Sequence, residues 1–424
     1  MNVFVGYGDR KITLEIPEEN LLFNVGPREA GIEPSEEEEI TRALAYPIGS
    51  AELSRVVSMG QSVAIIVDDH TRLTPTWKIL PHVLDELNRG GIRDDDIKVI
   101  IAGGTHRPMT KEEKRHKFGA ETIERITFID HDYLDREKLK DYGTTEYGTE
   151  VLVNTDAIEA DFRMTIGVIF PHFPAGWGGG AKMLLPGIAG ENTVAQFHLL
   201  GASHADTQLG QIDTVTRREM ELFADKVGLH YIFNVVLDKH GHILKAFAGD
   251  YIGAHREGVA FARSIYEVDI PDMADLLISS TSPIDHDYFQ VMKGLYSAEV
   301  CTKPGGVITL ISPIYEGMAV THREALQVTS LPLEDALAKI RNGDFEDNVG
   351  AAVATYQIKL SNNFDIMVVS EVLTPFEAEQ LRVGLLTDPY QIQSWIDGLL
   401  KEDGDLKIGI LHQSTEVLPR VVSP

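Results

Sequence analysis

The residues able to do chemistry in this chain gather behind three apolar runs. Ser62 to Val67 is followed by Asp68, Asp69, His70, Thr71 and Arg72; Ile97 to Ala102 by Gly103, Gly104, Thr105 and His106; Phe162 to Phe170 by Pro171 and His172. If each run is a strand of one parallel sheet, these polar residues share the edge where ligands bind, beyond the carboxyl ends of the strands. Imidazole, with an ordinary pKa of about 6.5, both accepts and donates a proton near neutrality. A guanidinium grips a carboxylate through two parallel hydrogen bonds. Each residue also has a structural reading, because a chain with 15 histidines places several in turns and caps by chance. An aspartate capping a helix beside an arginine that pairs with it is equally ordinary. The shared position after apolar runs favours function for His106 and His172.

The loop from Pro174 to Lys182 carries Gly176, Gly178, Gly179 and Gly180, which let backbone amides approach an anion closely. It is not a Walker A loop: Ala181 separates Gly180 from Lys182, and Met183 stands where a serine or threonine must hold magnesium. Lys182 could be a phosphate ligand, a Schiff-base nucleophile or a solvated charge, and the apolar run Met183 to Leu185 beside it speaks against the last. His198 falls in a helical pattern from Asn192 to Leu200, with Val194, Phe197 and Leu200 on a nearby face. A hydrogen-bonded core histidine and a metal ligand are equally consistent with that pattern.

The elements that must position these residues alternate strand and helix, the pattern of an α/β fold with mostly parallel, Rossmann-like sheets. A hairpin is expected at Val3 to Val5 and Ile12 to Ile16, a helix near Ser35, and helices after Ser62 to Val67 and Ile97 to Ala102. Further elements are a helix from Glu191, a strand at Tyr231 to Leu237 and a helix from Gly253 to Tyr266. Pro271 and its acidic neighbours suggest a linker around Val268 to Met273. Strands at Ala274 to Ser279, Gly306 to Ile311, Phe364 to Val369 and Leu406 to Leu411 then build a second, doubly wound unit. At 424 residues the chain divides into a cofactor-binding and catalytic domain, residues 1–270, and an α/β domain, residues 271–411, with an active-site cleft between them. The tail, residues 412–424, is expected to pack back on the first domain.

Composition narrows the partners. With 38 basic against 65 acidic side chains, the formal charge of −27 repels nucleic acid and anionic lipid over most of the surface. No stretch reaches the roughly 18 uninterrupted apolar residues of a membrane span. The single cysteine, Cys301, excludes an intrachain disulfide and a cysteine-built zinc site, and points to the cytoplasm; in its helical context it reads as a small core residue.

The set DDHTR (Asp68 to Arg72), GGTHRPMT (Gly103 to Thr110), PHFPAGWGGGAK (Pro171 to Lys182), Phe197-His198 and QVMKG (Gln290 to Gly294) resembles the nickel-dependent lactate racemase family, in order and spacing over nearly the whole chain. The resemblance implies racemisation or epimerisation of a small 2-hydroxy acid. It implies a nickel-pincer nucleotide, pyridinium-3-thioamide-5-thiocarboxylic acid mononucleotide, attached covalently to Lys182, with His198 as the protein's nickel ligand. Asp69 and the loop glycines Gly178, Gly179 and Gly180 would then lie near the ribose and phosphate. His106 and His172 resemble the acid/base pair; Arg72, Gln290 and Lys293 resemble the groups that bind and polarise the substrate. Separate cofactor-synthesis proteins are implied for loading. Two positions depart from the family pattern: Leu73 stands where a proline usually follows the arginine, and His70 adds an ionisable group beside the expected substrate carboxylate.

The implied reaction suits these parts. Deprotonating a carbon next to a carboxylate is unfavourable, whereas loss of the hydroxyl proton to a base and of the carbon-bound hydrogen as hydride to a cofactor gives a planar 2-keto acid open on both faces. The hydroxyl points differently in the two enantiomers, so two bases are needed. Competing readings are an epimerase of a longer sugar acid or dicarboxylate with the same cofactor, a noncatalytic nucleotide- or metal-binding protein, and a zinc hydrolase using His172, His198 and His204, which no HExxH motif supports.

Overall fold

A computed structural model describes residues 1–29, 35–204, 207–319, 321–322 and 324–422. The fold is α/β, with parallel and antiparallel strand pairs. The chain divides into two compact units, one of residues Glu29–Phe170 and Pro174–Ile265, the other of Met1–Arg28, Pro171–Phe173 and Tyr266–Pro424.

The first unit is built on a six-stranded sheet in the order Ile243–Gly249, Tyr231–Leu237, Phe162–Val168, Val63–Asp68, Ile97–Ala102, Thr127–Asp130. Ile243–Gly249 runs antiparallel to its neighbour and the other pairs are parallel. Every residue of Val63–Asp68 and of Tyr231–Leu237 is buried, which is why these strands read as unbroken apolar runs rather than alternating ones. The helix Thr76–Arg89 buries Ile79, Leu80, Val83, Leu84 and Leu87, the stripe expected of a period near 3.6 residues. Thr110 caps the helix Lys111–Phe118 in a reciprocal capping box with Glu113. A hairpin of Leu139–Thr144 and Glu150–Asn154, not anticipated from the sequence, also belongs to this unit.

The second unit holds a six-stranded, all-parallel sheet in the order Gly384–Leu386, Asp365–Val369, Thr302–Ile311, Ala274–Ser280, Ile408–Leu411, Leu21–Val25. Its core contains Val3, Val5, Ile12, Leu14 and Ile16 of the N-terminal hairpin together with Leu276, Ile278, Ile311, Ile408 and Ile410. The expected 1–270 domain is therefore corrected at its start. The hairpin's alternating pattern creates an apolar face, but only long-range packing decides which sheet it covers. The expected linker is corrected too, because Glu267–Ile270 is a strand, paired in parallel with Leu418–Val421 of the tail. Tail and strand both belong to this second unit. No helix among the described residues is long and apolar enough to cross a membrane.

Candidate active site

In the first unit, the neighbouring parallel strands Phe162–Val168, Val63–Asp68 and Ile97–Ala102 end at one sheet edge, and the loops that follow them carry the chemistry. The loop after Val63–Asp68 is held firmly. Lys117, itself buried, places Nζ 2.8 Å from Asp68 Oδ1 and donates to Arg72 O at 2.7 Å, while Thr74 donates to the other Asp68 oxygen. Asp69 is buried, and its Oδ1 accepts from the Thr71 backbone at 3.1 Å and from Thr71 Oγ1 at 2.5 Å.

The other Asp69 oxygen lies 2.7 Å from His106 Nδ1. Burial alone would raise the Asp69 pKa; the charge and hydrogen bond of His106, with His70 and Arg72 nearby, outweigh it and hold the carboxyl well below the usual range. An ionised carboxylate only accepts, so Nδ1 carries the proton and Nε2 is left as the nitrogen able to accept one. His70 lies farther off, with Nδ1 at 4.0 Å from the same oxygen. The carboxylate assigned to a cofactor ribose thus has a second reading as the partner of an acid/base histidine. Arg72 donates through Nη1 to Thr71 O at 3.0 Å, and its guanidinium stands 5.7 Å from the centre of the Phe170 ring.

The His106 loop turns through a His106 N–H bond to Gly103 O at 3.0 Å, and Gly104 N–H donates to Gly187 O at 2.9 Å. That second bond joins it to the segment just after Lys182. Lys182 sits in the 3₁₀ turn Gly180–Met183. Gly179 and Gly180 have φ of 72° and 58°, and a Cβ on either would come 2.9 Å from Asn234 Oδ1 or His255 Cδ2 respectively. The Gly178 N–H donates to Phe170 O at 2.8 Å and the Gly180 N–H to Asn234 Oδ1 at 2.9 Å. These two amides therefore hold the loop in place instead of facing an anion, the role expected for them.

Lys182 is partly exposed, and among the described residues its Nζ forms no hydrogen bond or ion pair. Burial of the amine, reinforced by Arg72 and Arg217 against the opposing pull of Asp69 and Asp68, lowers its pKa to about 7. A lysine in that state presents a substantial neutral fraction at physiological pH and is a competent nitrogen nucleophile. His198 lies on the helix Glu191–Ser203, its ring edge-on to Phe197 at 5.5 Å between centroids. The helix Val215–Val227, which bears Arg217, packs against both the Lys182 turn and the His198 helix.

The second unit holds the other expected residues. His172 and Gln290 are buried, and Lys293 Nζ donates to Gln290 Oε1. Phe173, next to His172, packs its ring at a tilt against Tyr296 of the helix Lys293–Cys301, 4.4 Å between centroids, and meets Tyr356 edge-on at 4.9 Å. His172 is thereby set beside the helix that begins at Lys293. Cys301 is buried, with its thiol pKa raised by burial, as suits a core residue. Among the described residues no three histidine, cysteine, aspartate or glutamate side chains converge as a metal site, so His172, His198 and His204 form no zinc cluster.

Sequence reasoning missed the Asp69–His106 pair and three buried side chains behind the glycine loop, Arg217, Asn234 and His255. Asn234 leaves one signal, a lone amide inside an otherwise apolar strand. Arg217 and His255 are ordinary polar residues on helical stretches until the fold buries them.

An Asp–His pair, an arginine and a lysine of lowered pKa thus lie in the loops beyond the ends of parallel strands, the edge where α/β enzymes place their sites. Comparison with known proteins gives the family. Residues 7–210 match the lactate racemase N-terminal domain. The chain is 34% identical over 323 residues to a lactate racemase of Thermoanaerobacterium thermosaccharolyticum, covering 74% of this chain and 75% of that protein. It is 32% identical over 318 residues to a lactate racemase of Lactiplantibacillus plantarum, covering 73% and 74%. The lactate racemase apoprotein structure from T. thermosaccharolyticum superposes with a TM-score of 0.86 at 27% identity over 99% of this chain and 100% of that one. A Thermotoga maritima protein shares the fold, with a TM-score of 0.73 at 19% identity, covering 92% and 100%. The chain belongs to the lactate racemase family.

Proposed function

We propose that this chain inverts C2 of a small 2-hydroxy acid, lactate or a close relative, with a nickel-pincer nucleotide attached at Lys182. The observation that carries the reading is the state of the Lys182 amine. Burial, Arg72 and Arg217 all oppose a charge there, and a thioamide at the same nitrogen is neutral, so attachment removes the charge the site disfavours. The donor chemistry agrees: a cofactor that brings its own sulfurs needs little from a chain with one buried cysteine, and His198 offers the imidazole that nickel accepts. When bound, the group supplies a reversible acceptor for the C2 hydrogen and its electron pair.

The remaining work falls to this chain's side chains. Arg72 grips the substrate carboxylate through paired hydrogen bonds. His106, oriented by Asp69, takes the hydroxyl proton of one enantiomer at Nε2 and returns it, and His172 does the same for the other. Gln290 has its carbonyl engaged by Lys293, which turns the amide N–H groups of Gln290 toward a substrate oxygen, and the Lys293 charge favours the developing carbonyl. Separate proteins build and load the nucleotide. On its single cysteine we place the enzyme in the cytoplasm, and we read its two six-stranded sheets as Rossmann-like.

The test is a panel of single-enantiomer 2-hydroxy acids incubated with loaded enzyme in deuterium oxide. Inversion with protium retained at C2 is the expected result for lactate or a near homologue. Rapid deuterium entry at C2, or no inversion of any member, overturns the reading.

A further inference from the structure

We propose that Arg217, Asn234 and His255 are positioning residues that clamp the Lys182 loop from its buried side and fix the geometry in which the Lys182 amine is acylated. The inference rests on the reading of Lys182 as the attachment point and goes beyond it, to three buried residues that bond the loop behind it.

Three elements far apart in sequence converge on four positions of one loop. Arg217, on the helix Val215–Val227, is fully buried, and its Nη2 donates to Ala175 O at 3.0 Å and also to Trp177 O. Asn234, in the strand Tyr231–Leu237, accepts from the Gly180 N–H and donates to Gly167 O at 3.2 Å, tying the loop to the strand before it. His255, on the helix Gly253–Tyr266, places Nε2 2.8 Å from Gly178 O; the carbonyl can only accept, so Nε2 carries the proton. Burial holds the His255 pKa well below its ordinary value, so the ring is neutral. Gly179 and Gly180 leave no room for a Cβ against Asn234 and His255, which makes the contact a fitted one.

Arg217 shows why the clamp is more than a turn support. Its Nε and Nη1 have no hydrogen-bond partner among the described residues, an expensive arrangement for a buried cation. A neutral donor would serve two carbonyls at lower cost. What the guanidinium adds is a fixed positive charge, since even with its pKa lowered to about 10 by burial it stays protonated at neutral pH. The charged groups acting on Lys182 are Arg72 and Arg217 on one side and Asp69 and Asp68 on the other. Both carboxylates already have cationic or imidazole partners, Lys117 for Asp68 and His106 for Asp69. The balance left at the amine is positive and disfavours the ammonium.

The test uses cofactor-free full-length protein and N-hydroxysuccinimidyl acetate. The Lys182 amine attacks the acyl carbon, the Nζ–C bond forms, the bond to N-hydroxysuccinimide breaks, and the displaced amine proton passes to solvent. Peptide mass spectrometry reads acetylation of Lys182 against pH, with exposed lysines as internal reference. In the unsubstituted protein the half-maximal rate is expected near pH 7. In Arg217→Met the half-point moves up by about one pH unit or more, so labelling at pH 7 falls about fivefold or more, while Arg217→Lys keeps it low. An unchanged half-point in folded Arg217→Met overturns the proposal. Should that variant not fold, His255→Leu and His255→Gln decide: the first is expected to slow Lys182 labelling several-fold relative to the reference lysines, and the second, which keeps an N–H donor, to restore it. Equal rates in all three proteins overturn the proposal. A cofactor adduct mapped to another residue would instead refute the attachment reading and leave this labelling result standing.

Discussion

His106 Nδ1 and Asp69 Oδ2 stand 2.7 Å apart, joining the ends of two adjacent parallel strands through a buried carboxylate. The pair fixes the imidazole tautomer, with the proton on Nδ1 and Nε2 left open. Asp69→Asn keeps the shape and removes the charge, and its amide can present a donor where Nδ1–H needs an acceptor. We predict a fall in kcat of about 100-fold with KM changed less than about threefold, since a positioned acid/base group contributes roughly 10² to 10⁴. Steady-state kinetics in both directions check this, and the loss should be larger for the enantiomer served by His106.

Arg72 is predicted to act through geometry as well as charge. Arg72→Lys retains the cation but loses the planar fork, so kcat/KM should fall about 100-fold, with much of the loss in KM. Equal kinetics for the lysine variant would remove Arg72 from the carboxylate site.

The depressed Lys182 pKa makes a stability prediction with a definite sign. In the unfolded chain the amine titrates near 10.5, in the folded apoprotein near 7. Between those values the unfolded state holds the extra proton, so this group makes folding more favourable as pH rises from about 7 toward 10.5. Below pH 7 the folded state must carry a buried ammonium and the full cost remains. Lys182→Met should therefore raise the urea midpoint most at pH 6, with the advantage shrinking as pH rises. A constant difference from pH 6 to 9 would contradict the assignment.

Asp68 and Lys117 form a buried pair at 2.8 Å that anchors the loop before Arg72. Lys117→Met leaves a buried carboxylate with Thr74 alone and should cost about 3 kcal/mol. Urea denaturation at pH 7 measures it.

Much of this site was legible in the sequence for a simple reason. Strands buried on both faces, such as Val63–Asp68, leave unbroken apolar runs, and the residues after each run must fall at the same sheet edge. Asp69, Arg72, His106 and His172 were picked out as candidates by that logic, and Lys182 by the glycine-rich loop that carries it. The pairing of Asp69 with His106 was not, because it spans 37 residues and depends on two loops adopting one conformation. Arg217 and His255 carry no local mark, since a buried role for a polar residue on a helix is set by what packs over it. The N-terminal hairpin advertised an apolar face but not its owner, so its place in the second core emerged only from the fold. The loop glycines signalled close approach, and the groups that approach Gly179 and Gly180 are Asn234 and His255.

The site of nucleotide attachment is the most direct point of test. Protein produced together with the cofactor-building enzymes should show, by intact mass and peptide mapping, one nucleotide adduct on the peptide bearing Lys182, absent from Lys182→Ala. Active enzyme with Lys182 unmodified, or with the adduct on another side chain, would contradict it.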